Sequence, residues 1–158
     1  IKSSQSKKIL EIGTFTGYSA IKMAENNDNC EIHSCEILKD HANTATNFIK
    51  KAGYTDNITI HCGPALDTLE TFKVGYFDFV FIDADKVSYL EYYKRSATLI
   101  KSRGIIVLDN MLWSGKVLDP KDDNSKSLNK TAQFINDDKR FFNVLIPIRD
   151  GLMVCFKK

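Results

Sequence analysis

Residues 8–20 read KILEIGTFTGYSA, and this stretch decides which fold the rest of the chain can adopt. Its first part, Ile9 to Ile12, is a short apolar run with the length and composition of a buried parallel strand. Gly13 and Gly17 then bound a turn, and residues 17–26 have the pattern of a helix. Such a turn suits the polar part of a nucleotide-like ligand, because unpaired N–H groups and the helix dipole point towards it.

The turn excludes two common nucleotide-binding loops. A G-x-G-x-x-G fingerprint needs a glycine where this chain has Phe15, and a Walker loop needs G-K-S/T where Gly17 is followed by Tyr18. The remaining pattern is E-x-G-x-x-x-G, with Glu11 inside it. An acid at the strand end repels phosphate but suits a cationic amine, and the pattern resembles the first motif of class I S-adenosylmethionine-dependent methyltransferases. An ordinary strand–helix turn that needs two glycines for its geometry is the alternative.

Strand and helix patterns alternate along the rest of the chain. Further strands are predicted at 31–36, 57–62, 77–82 and 104–108. Further helices are predicted at 38–52, 65–69, 87–101 and 128–136. The polar segment 116–130 is expected to be a mobile surface loop.

The C-terminal part departs from this alternation. Two apolar runs, 141–148 and 152–156, flank Asp150-Gly151, which is a strong hairpin signal. The whole pattern predicts an α/β fold: a Rossmann-like, doubly wound, mostly parallel seven-stranded sheet with a C-terminal antiparallel hairpin. The strand at 77–82 is the most apolar and is expected to be central.

Composition narrows the class of protein. The 158 residues predict a single domain over residues 1–158, and a formal net charge of +2 without a long basic run predicts no nucleic-acid partner. No apolar run has the length of a membrane span, so no membrane partner is predicted. The four cysteines form no C-x-x-C pair, which predicts reduced, buried thiols and a cytoplasmic location. Because the chain starts at Ile1 and reaches its first strand almost at once, we expect earlier residues to be absent.

Ligands of an open α/β sheet bind at the carboxyl ends of the strands. Glu36 ends the second predicted strand, 23 residues after Gly13, near the spacing at which such folds place an acid on ribose hydroxyls. A solvated acid at the start of the next helix is the alternative for Glu36. The candidate cofactor-binding residues are those at or beside the strand ends: Glu11, Gly13, Thr14, Phe15, Gly17, Ser19, Glu36, Ile37, Gly63, Ala65 and Asp83.

A second set of polar residues follows the two most apolar strands. Asp83, Asp109 and Asn110 offer oxygen ligands of the kind that Mg²⁺ prefers, although Asp109 and Asn110 also suit a turn and helix cap. Lys86 lies three residues after Asp83 and could hold a substrate oxygen as its anion or act as general base. Trp113 could form the wall of an aromatic substrate site or simply pack.

Zinc is a poor candidate for a bound metal ion, because zinc sites need clustered histidines or cysteines. His33, His41 and His61 are scattered along the chain, and each is expected to be structural or exposed.

Four stretches of the chain carry a more specific resemblance. Residues 9–20 (ILEIGTFTGYSA), 79–86 (FVFIDADK), 104–117 (GIIVLDNMLWSGKV) and 147–152 (PIRDGL) resemble the cation-dependent small-molecule O-methyltransferase family, which includes caffeoyl-CoA and catechol O-methyltransferases. The resemblance covers essentially the whole chain. It implies S-adenosylmethionine and a divalent metal, with Mg²⁺ expected, as cofactors, and a small hydroxylated, aromatic acceptor as partner. It also implies further N-terminal helices and a homodimer in the full-length protein.

The same resemblance assigns roles to residues. Glu11, Gly13 and Ser19 would contact the methionine part of the cofactor, Glu36 the ribose, and Ala65 the adenine. Asp83, Asp109 and Asn110 match the metal ligands of the family, and Lys86 matches the catalytic lysine of the catechol enzyme; Asp83 is thus both a ligand and a catalytic candidate.

Two other functions remain open from the sequence. One is a non-catalytic domain that binds the cofactor without turnover. The other is a phosphatase of the haloacid dehalogenase type, because residues 83–87 fit the D-x-D-x-T/V nucleophile loop literally. That loop normally follows the first strand of its sheet, whereas here it follows the fourth.

Overall fold

The computed structural model describes residues 4–27 and 29–158. Within these residues, seven strands pair into one sheet in the order β3-β2-β1-β4-β5-β7-β6. The strands are β1 (Lys8–Ile12), β2 (Glu31–Glu36), β3 (Ile58–Cys62), β4 (Phe77–Ile82), β5 (Ile100–Leu108), β6 (Phe141–Ile146) and β7 (Leu152–Lys157). β1 to β5 pair parallel with one another, whereas β7 pairs antiparallel with both β5 and β6. The predicted fold class is therefore confirmed, and β4 is the middle strand.

Helices cover both faces of this sheet. They are α1 (Tyr18–Glu25), α2 (Lys39–Ala52), α3 (Ala65–Glu70), α4 (Tyr89–Leu99) and α5 (Asp123–Asp137). One face packs against α1 and α2 through buried side chains such as Ala20 and Ile49. The other packs against α3, α4 and α5 through Leu69, Tyr93 and Leu128. Burial on both faces explains why the parallel strands read as continuous apolar runs.

Local chemistry sets where α2 begins and ends. Ala42, Ala45 and Ile49 form its buried stripe at helical spacing. Gly53 ends the helix in the left-handed conformation, with its N–H donating to the carbonyls of Ile49 and Lys50. Glycine is favoured at this position because a side chain is strained at positive φ.

The prediction of a mobile surface loop at 116–130 is wrong. An irregular 3₁₀ segment covers Trp113–Leu118, and α5 begins at Asp123. Asp122 caps α5, since its side chain accepts a hydrogen bond from the Ser125 N–H at 2.9 Å. Although the segment is polar, Ser125 and Leu128 are fully buried, because one face of the first helical turns packs on the core.

The boundary between α4 and β5 also differs from the prediction. A 3₁₀ turn at Lys86–Ser88 precedes α4, which ends at Leu99, and β5 begins at Ile100 rather than at Gly104. The pairing of β4 with β5 shifts register between Phe77 and Phe79. Because this irregularity interrupts the strand pattern, the first residues of β5 cannot be recognised from the periodicity of the sequence.

The cysteines are free thiols, as predicted, but not all are buried. Cys30, Cys35 and Cys155 are buried, whereas Cys62 is exposed at the end of β3, an edge strand. Burial raises the pKa of Cys35 and of Cys155 to about 12. Among the described residues, no helix combines the length and the hydrophobicity needed to cross a membrane.

Candidate active site

A cavity opens at the carboxyl ends of β1 to β4, where the sheet order reverses. Its volume is about 520 Å³, within the range of small-molecule sites. Seven of the predicted cofactor residues line it: Gly13, Phe15, Glu36, Ile37, Gly63, Ala65 and Asp83. The switch point between β1 and β4 is where open α/β sheets bind ligands, so the position follows from the topology.

Glu36 is held rigidly in the wall of this cavity. Its Oε2 accepts a hydrogen bond from the Phe15 N–H at 2.8 Å, and its Oε1 accepts one from the Leu38 N–H at 2.9 Å. The His41 ring lies edge-on to Phe15, and its Nδ1 is 3.7 Å from Glu36 Oε1. The carboxylate is thus oriented by the backbone before any ligand binds.

Four predicted cofactor residues lie behind the wall and do not line the cavity: Glu11, Thr14, Gly17 and Ser19. The Glu11 side chain is fully buried and accepts hydrogen bonds from the hydroxyls of Ser19 and Ser34. Thr14 and Ser34 share a hydroxyl–hydroxyl hydrogen bond of 2.5 Å. Burial raises the pKa of Glu11 to about 7, while the two serine hydroxyls oppose that rise. The Glu11 carboxyl group therefore connects the end of β1 to α1 and to β2 through hydrogen bonds.

The second group of predicted residues meets at the ends of β4 and β5. The Asp83 N–H donates to the Ile12 carbonyl and the Asp109 N–H to the Ile82 carbonyl, which extends the strand pairing to these residues. Lys86 Nζ donates to Asp83 Oδ1 at 2.9 Å and to the Tyr89 hydroxyl at 2.6 Å. Lys86 is only 8% exposed, so its ammonium group is held against Asp83.

The fully buried Tyr89 supports this arrangement, although the sequence did not single it out. Its hydroxyl lies 3.1 Å from the Asp109 carbonyl and 3.3 Å from the Ile82 carbonyl. Burial, together with repulsion from Asp83, raises its pKa well above the ordinary range, so the hydroxyl stays protonated. Tyr89 therefore joins Lys86 to the ends of both central strands.

A second cavity, of about 510 Å³, adjoins Asp109 and Asn110 of this group. It is lined by Asp109, Asn110, Ser114, Arg149 and Asp150. Asp109 Oδ1 accepts a hydrogen bond from the Asn110 N–H at 2.6 Å. Burial and repulsion from Asp83 raise the pKa of Asp109. Asp83 lines the first cavity and Asp109 lines the second.

The donor set fits a hard divalent ion in its chemistry. Two carboxylates that repel each other and one amide supply oxygen ligands, and a cation would offset the repulsion. Among residues 4–27 and 29–158, no three His, Cys, Asp or Glu side chains are grouped so as to hold a metal ion. The third member of the set is Asn110, whose amide oxygen would have to complete it.

Trp113 lines neither cavity. It is half-buried against the core cluster, and its ring centroid lies 6.0 Å from Lys86 Nζ. Its backbone has a φ of +46°, which is unusual for a large side chain.

Sequence reasoning missed several residues that line the first cavity. Ser88 and Tyr92 lie there, and both donate hydrogen bonds to Asp85, which the sequence placed after the fourth strand without a role in cofactor binding. The spacing of three residues from Asp85 to Ser88 and of four from Ser88 to Tyr92, across the 3₁₀ turn and the start of α4, was the available signal. Arg149 and Asp150 were noted as part of a hairpin and of the 147–152 resemblance but were given no role in the site, because no local pattern ties them to Asp109.

Two of the three histidines, which are far apart in the sequence, lie next to each other in the structure. β2 and β3 are adjacent, and His33 Nδ1 lies 2.9 Å from His61 Nε2. His33 Nε2 also lies 2.8 Å from Glu31 Oε1. The pair therefore forms a hydrogen-bonded network with Glu31, and within residues 4–27 and 29–158 it belongs to no group of three potential metal ligands.

Comparison with known proteins gives a consistent result. A family model described as O-methyltransferase matches residues 1–158. Caffeoyl-CoA O-methyltransferase 1 from Eucalyptus globulus is 36% identical over 171 residues, covering 98% of this chain and 68% of that protein. A probable caffeoyl-CoA O-methyltransferase from Dictyostelium discoideum is 36% identical, covering 99% and 72%.

Solved structures agree with the sequence relatives. An O-methyltransferase from Bacillus cereus in complex with SAH superimposes with a TM-score of 0.93 at 28% identity, covering 99% of this chain and 76% of that one. The O-methyltransferase TomG from Streptomyces achromogenes, in complex with SAM, superimposes with a TM-score of 0.93 at 27% identity, covering 99% and 75%.

Proposed function

This chain belongs to the O-methyltransferase family whose model it matches over residues 1–158, and from that premise we propose a metal-assisted reaction on a small phenolic acceptor. The class of enzyme, an S-adenosylmethionine-dependent O-methyltransferase, follows from its relatives and structural neighbours. The proposal adds that the acceptor is a catechol-like or phenylpropanoid hydroxyl compound and that a divalent ion, Mg²⁺ by preference, takes part. The phosphatase alternative leaves the family membership unexplained. The presence of Asp83, Lys86, Asp109 and Asn110 argues against a non-catalytic domain, and the turnover measurement below tests that alternative directly.

One observation carries the proposal. Asp83 lines the first cavity, and Asp109 and Asn110 line the second. Hydrogen bonds from Lys86 to Asp83 and to the Tyr89 hydroxyl, and from that hydroxyl to the Asp109 carbonyl, join the two sets. The first cavity, with Glu36 and the apolar Ile37 and Ala65 beside it, suits the ribose and adenine of the cofactor. The second cavity suits the acceptor. The two substrates would then meet where the oxygen ligands lie.

The chemistry supplied by the bound groups is an electrophilic sulfonium methyl and, at the metal ligands, a lowered pKa for the acceptor hydroxyl. Asp83, Asp109 and Asn110 would hold the ion through their side-chain oxygens. The Lys86 ammonium already donates to Asp83 and Tyr89, so its third proton can donate to the acceptor oxygen and stabilise it as an anion. Fixing that oxygen towards the first cavity provides most of the remaining rate acceleration, because in-line transfer depends on positioning.

The experiment combines binding and turnover. Calorimetry should detect S-adenosylmethionine binding to the chain, and catechol methylation should be abolished by EDTA and restored by Mg²⁺. Asp83→Asn should lower Mg²⁺-dependent turnover by at least about 100-fold, the upper range for disturbing the support of a metal ligand.

Asp119→Asn is the matched control, since Asp119 is an exposed acid whose contact is with Lys121. It should leave turnover unchanged. Turnover that persists in EDTA and in Asp83→Asn, from protein that binds the cofactor, would exclude the metal-assisted mechanism.

A further inference from the structure

Arg149 places a positive charge on the acceptor side of the site. It lines the second cavity with Asp109 and Asn110, and its side chain is exposed. Among the described residues, the guanidinium forms no ion pair, in contrast to Arg140, which pairs with Asp138 at 2.7 Å. A guanidinium carries several donors in a planar fork that matches a carboxylate or phosphate.

The loop that carries Arg149 is fixed to the loop that carries Asn110. The Met111 N–H donates to the Gly151 carbonyl at 2.9 Å, and the Leu112 N–H donates to the Asp150 carbonyl at 2.8 Å. Asp150 Oδ1 also accepts a hydrogen bond from the Ser114 N–H. The backbone of Arg149 is therefore held at a defined position relative to the predicted metal ligands.

Backbone conformation at this junction is unusual. Asn110, Ser114 and Arg149 have φ values of +58°, +51° and +53°. Non-glycine residues adopt this region at a cost and keep it where surrounding contacts demand it, often at ligand sites. Three such residues line one cavity, so the strain is concentrated where an acceptor would bind.

The two acids in the cavity keep their negative charge, but each has a partner other than Arg149. A bound ion would offset the charge of Asp109, and both carboxylates accept backbone hydrogen bonds. Asp109 accepts the Asn110 N–H, and Asp150 accepts the Ser114 N–H. The Arg149 guanidinium, in contrast, forms no ion pair or hydrogen bond with residues 4–27 or 29–158, so its donors are available to a ligand. The cavity thus offers an anion one unpaired cationic partner close to the reacting group.

We propose that Arg149 determines acceptor specificity by binding a negatively charged group on the acceptor, so that the preferred substrate is a hydroxylated aromatic anion. The inference rests on the proposed function, because it takes the second cavity as the acceptor site. It adds the charge of the substrate and the residue that recognises it.

The test compares acceptors that share the catechol ring and differ in charge. 3,4-Dihydroxyphenylacetate, catechol and 3,4-dihydroxyphenylethylamine carry a negative, a neutral and a positive group. In the wild-type protein kcat/KM should be highest for the anion. Arg149→Gln should lower kcat/KM for the anion by about fivefold, chiefly through KM, the size expected of one partly exposed charge pair. Catechol turnover should change little.

Two controls separate recognition from general damage. Arg103→Gln is the matched variant, because Arg103 is also exposed and has a φ of +66° but lies near the start of β5, outside both cavities. Arg149→Lys should restore part of the preference, since it keeps the charge and loses the planar fork. The preference should also shrink in about 0.5 M salt, which screens exposed charges.

Two further acceptors identify the anion. Caffeate carries a carboxylate, whereas the charge of caffeoyl-CoA is on phosphates. A fall in kcat/KM for caffeate in Arg149→Gln would identify a carboxylate as the group that Arg149 binds, and a fall for caffeoyl-CoA would identify a phosphate. The inference would be overturned if the ratio of kcat/KM for the anionic acceptor to kcat/KM for the cationic acceptor were the same in wild type and Arg149→Gln, with turnover intact. Loss of all catechol methylation in the wild type would instead overturn the proposed function.

Discussion

At the scale of single residues, the glycines of the first turn have a packing role. A Cβ built on Gly13 would lie 2.0 Å from the Asp83 carbonyl oxygen, and one on Gly17 would lie 3.2 Å from the Ala45 Cβ. Gly13 therefore lets the ends of β1 and β4 approach each other. Gly63 differs, because it lines the cavity with open space at its Cβ position.

Gly13→Ala should strongly destabilise the fold. The added methyl would overlap backbone atoms of Asp83 at a φ of +103°. We expect the free energy of unfolding to fall by about 2–4 kcal/mol, the sum of overpacking and left-handed strain. Urea unfolding followed by circular dichroism measures it.

Gly53→Ala serves as the control for backbone strain alone. Gly53 has a φ of +81° but nothing within 4 Å of its Cβ position. Its loss of stability should be about 1 kcal/mol. Equal losses in the two variants would mean that contact with Asp83 does not explain Gly13.

At the scale of elements, the β6–β7 connection supports the site. Its Asp-Gly sequence predicted a hairpin, which the antiparallel pairing of β6 with β7 confirms. A Cβ on Gly151 would lie 2.6 Å from Leu112 Cγ, so the glycine also allows the loop to pack on the residues after Asn110. Turn chemistry identified the element, but only packing connects it to the site.

The start of α5 depends on one cap. Asp122→Ala removes the acceptor for the Ser125 N–H, and the first turn of the helix should fray. Hydrogen exchange of the Ser125 and Lys126 amides should become several-fold faster, while exchange near Ile135 stays unchanged.

Asp123→Ala is the paired variant, since Asp123 lies in the same turn without being the cap. Its exchange rates should stay near those of the wild type. Similar acceleration in both variants would show that charge near the helix N-terminus, rather than the cap, orders this turn.

At the scale of the whole molecule, the sheet places a buried acid beneath the first cavity. Glu11, a residue of β1, is fully buried, and burial raises its pKa from 4.5 to about 7. A raised carboxyl pKa means that the native state retains a proton that the unfolded chain releases. The associated stabilisation is complete below pH 4.5 and is lost as the pH rises through about 7.

Glu11→Gln should therefore flatten the pH dependence of global stability. Going from about pH 5 to about pH 8, the wild type should lose about 3 kcal/mol relative to the variant. Urea titrations at both pH values measure the difference, and the histidines contribute equally to both proteins. Parallel pH curves would show that Glu11 is ionised in the fold.

Local patterns by themselves determined much of this protein. Apolar runs such as 77–82, the glycine-bounded turn after Ile12 and the Asp-Gly hairpin specify the doubly wound sheet, because strand burial and turn chemistry act over a few residues. The same patterns placed Glu36, Asp83 and Asp109 at strand ends, which the strand order then brings to one edge of the sheet.

Tertiary structure alone decided which residues share a cavity and which only support it. Glu11 and Ser19 lie behind the first cavity, Arg149 and Asp150 join Asp109 in the second, and residues from 123 onwards form α5 instead of a loop. These outcomes depend on contacts between segments far apart in the chain. Burial, unpaired charge and steric overlap exist only between such segments once they pack, so no periodicity within one segment encodes them.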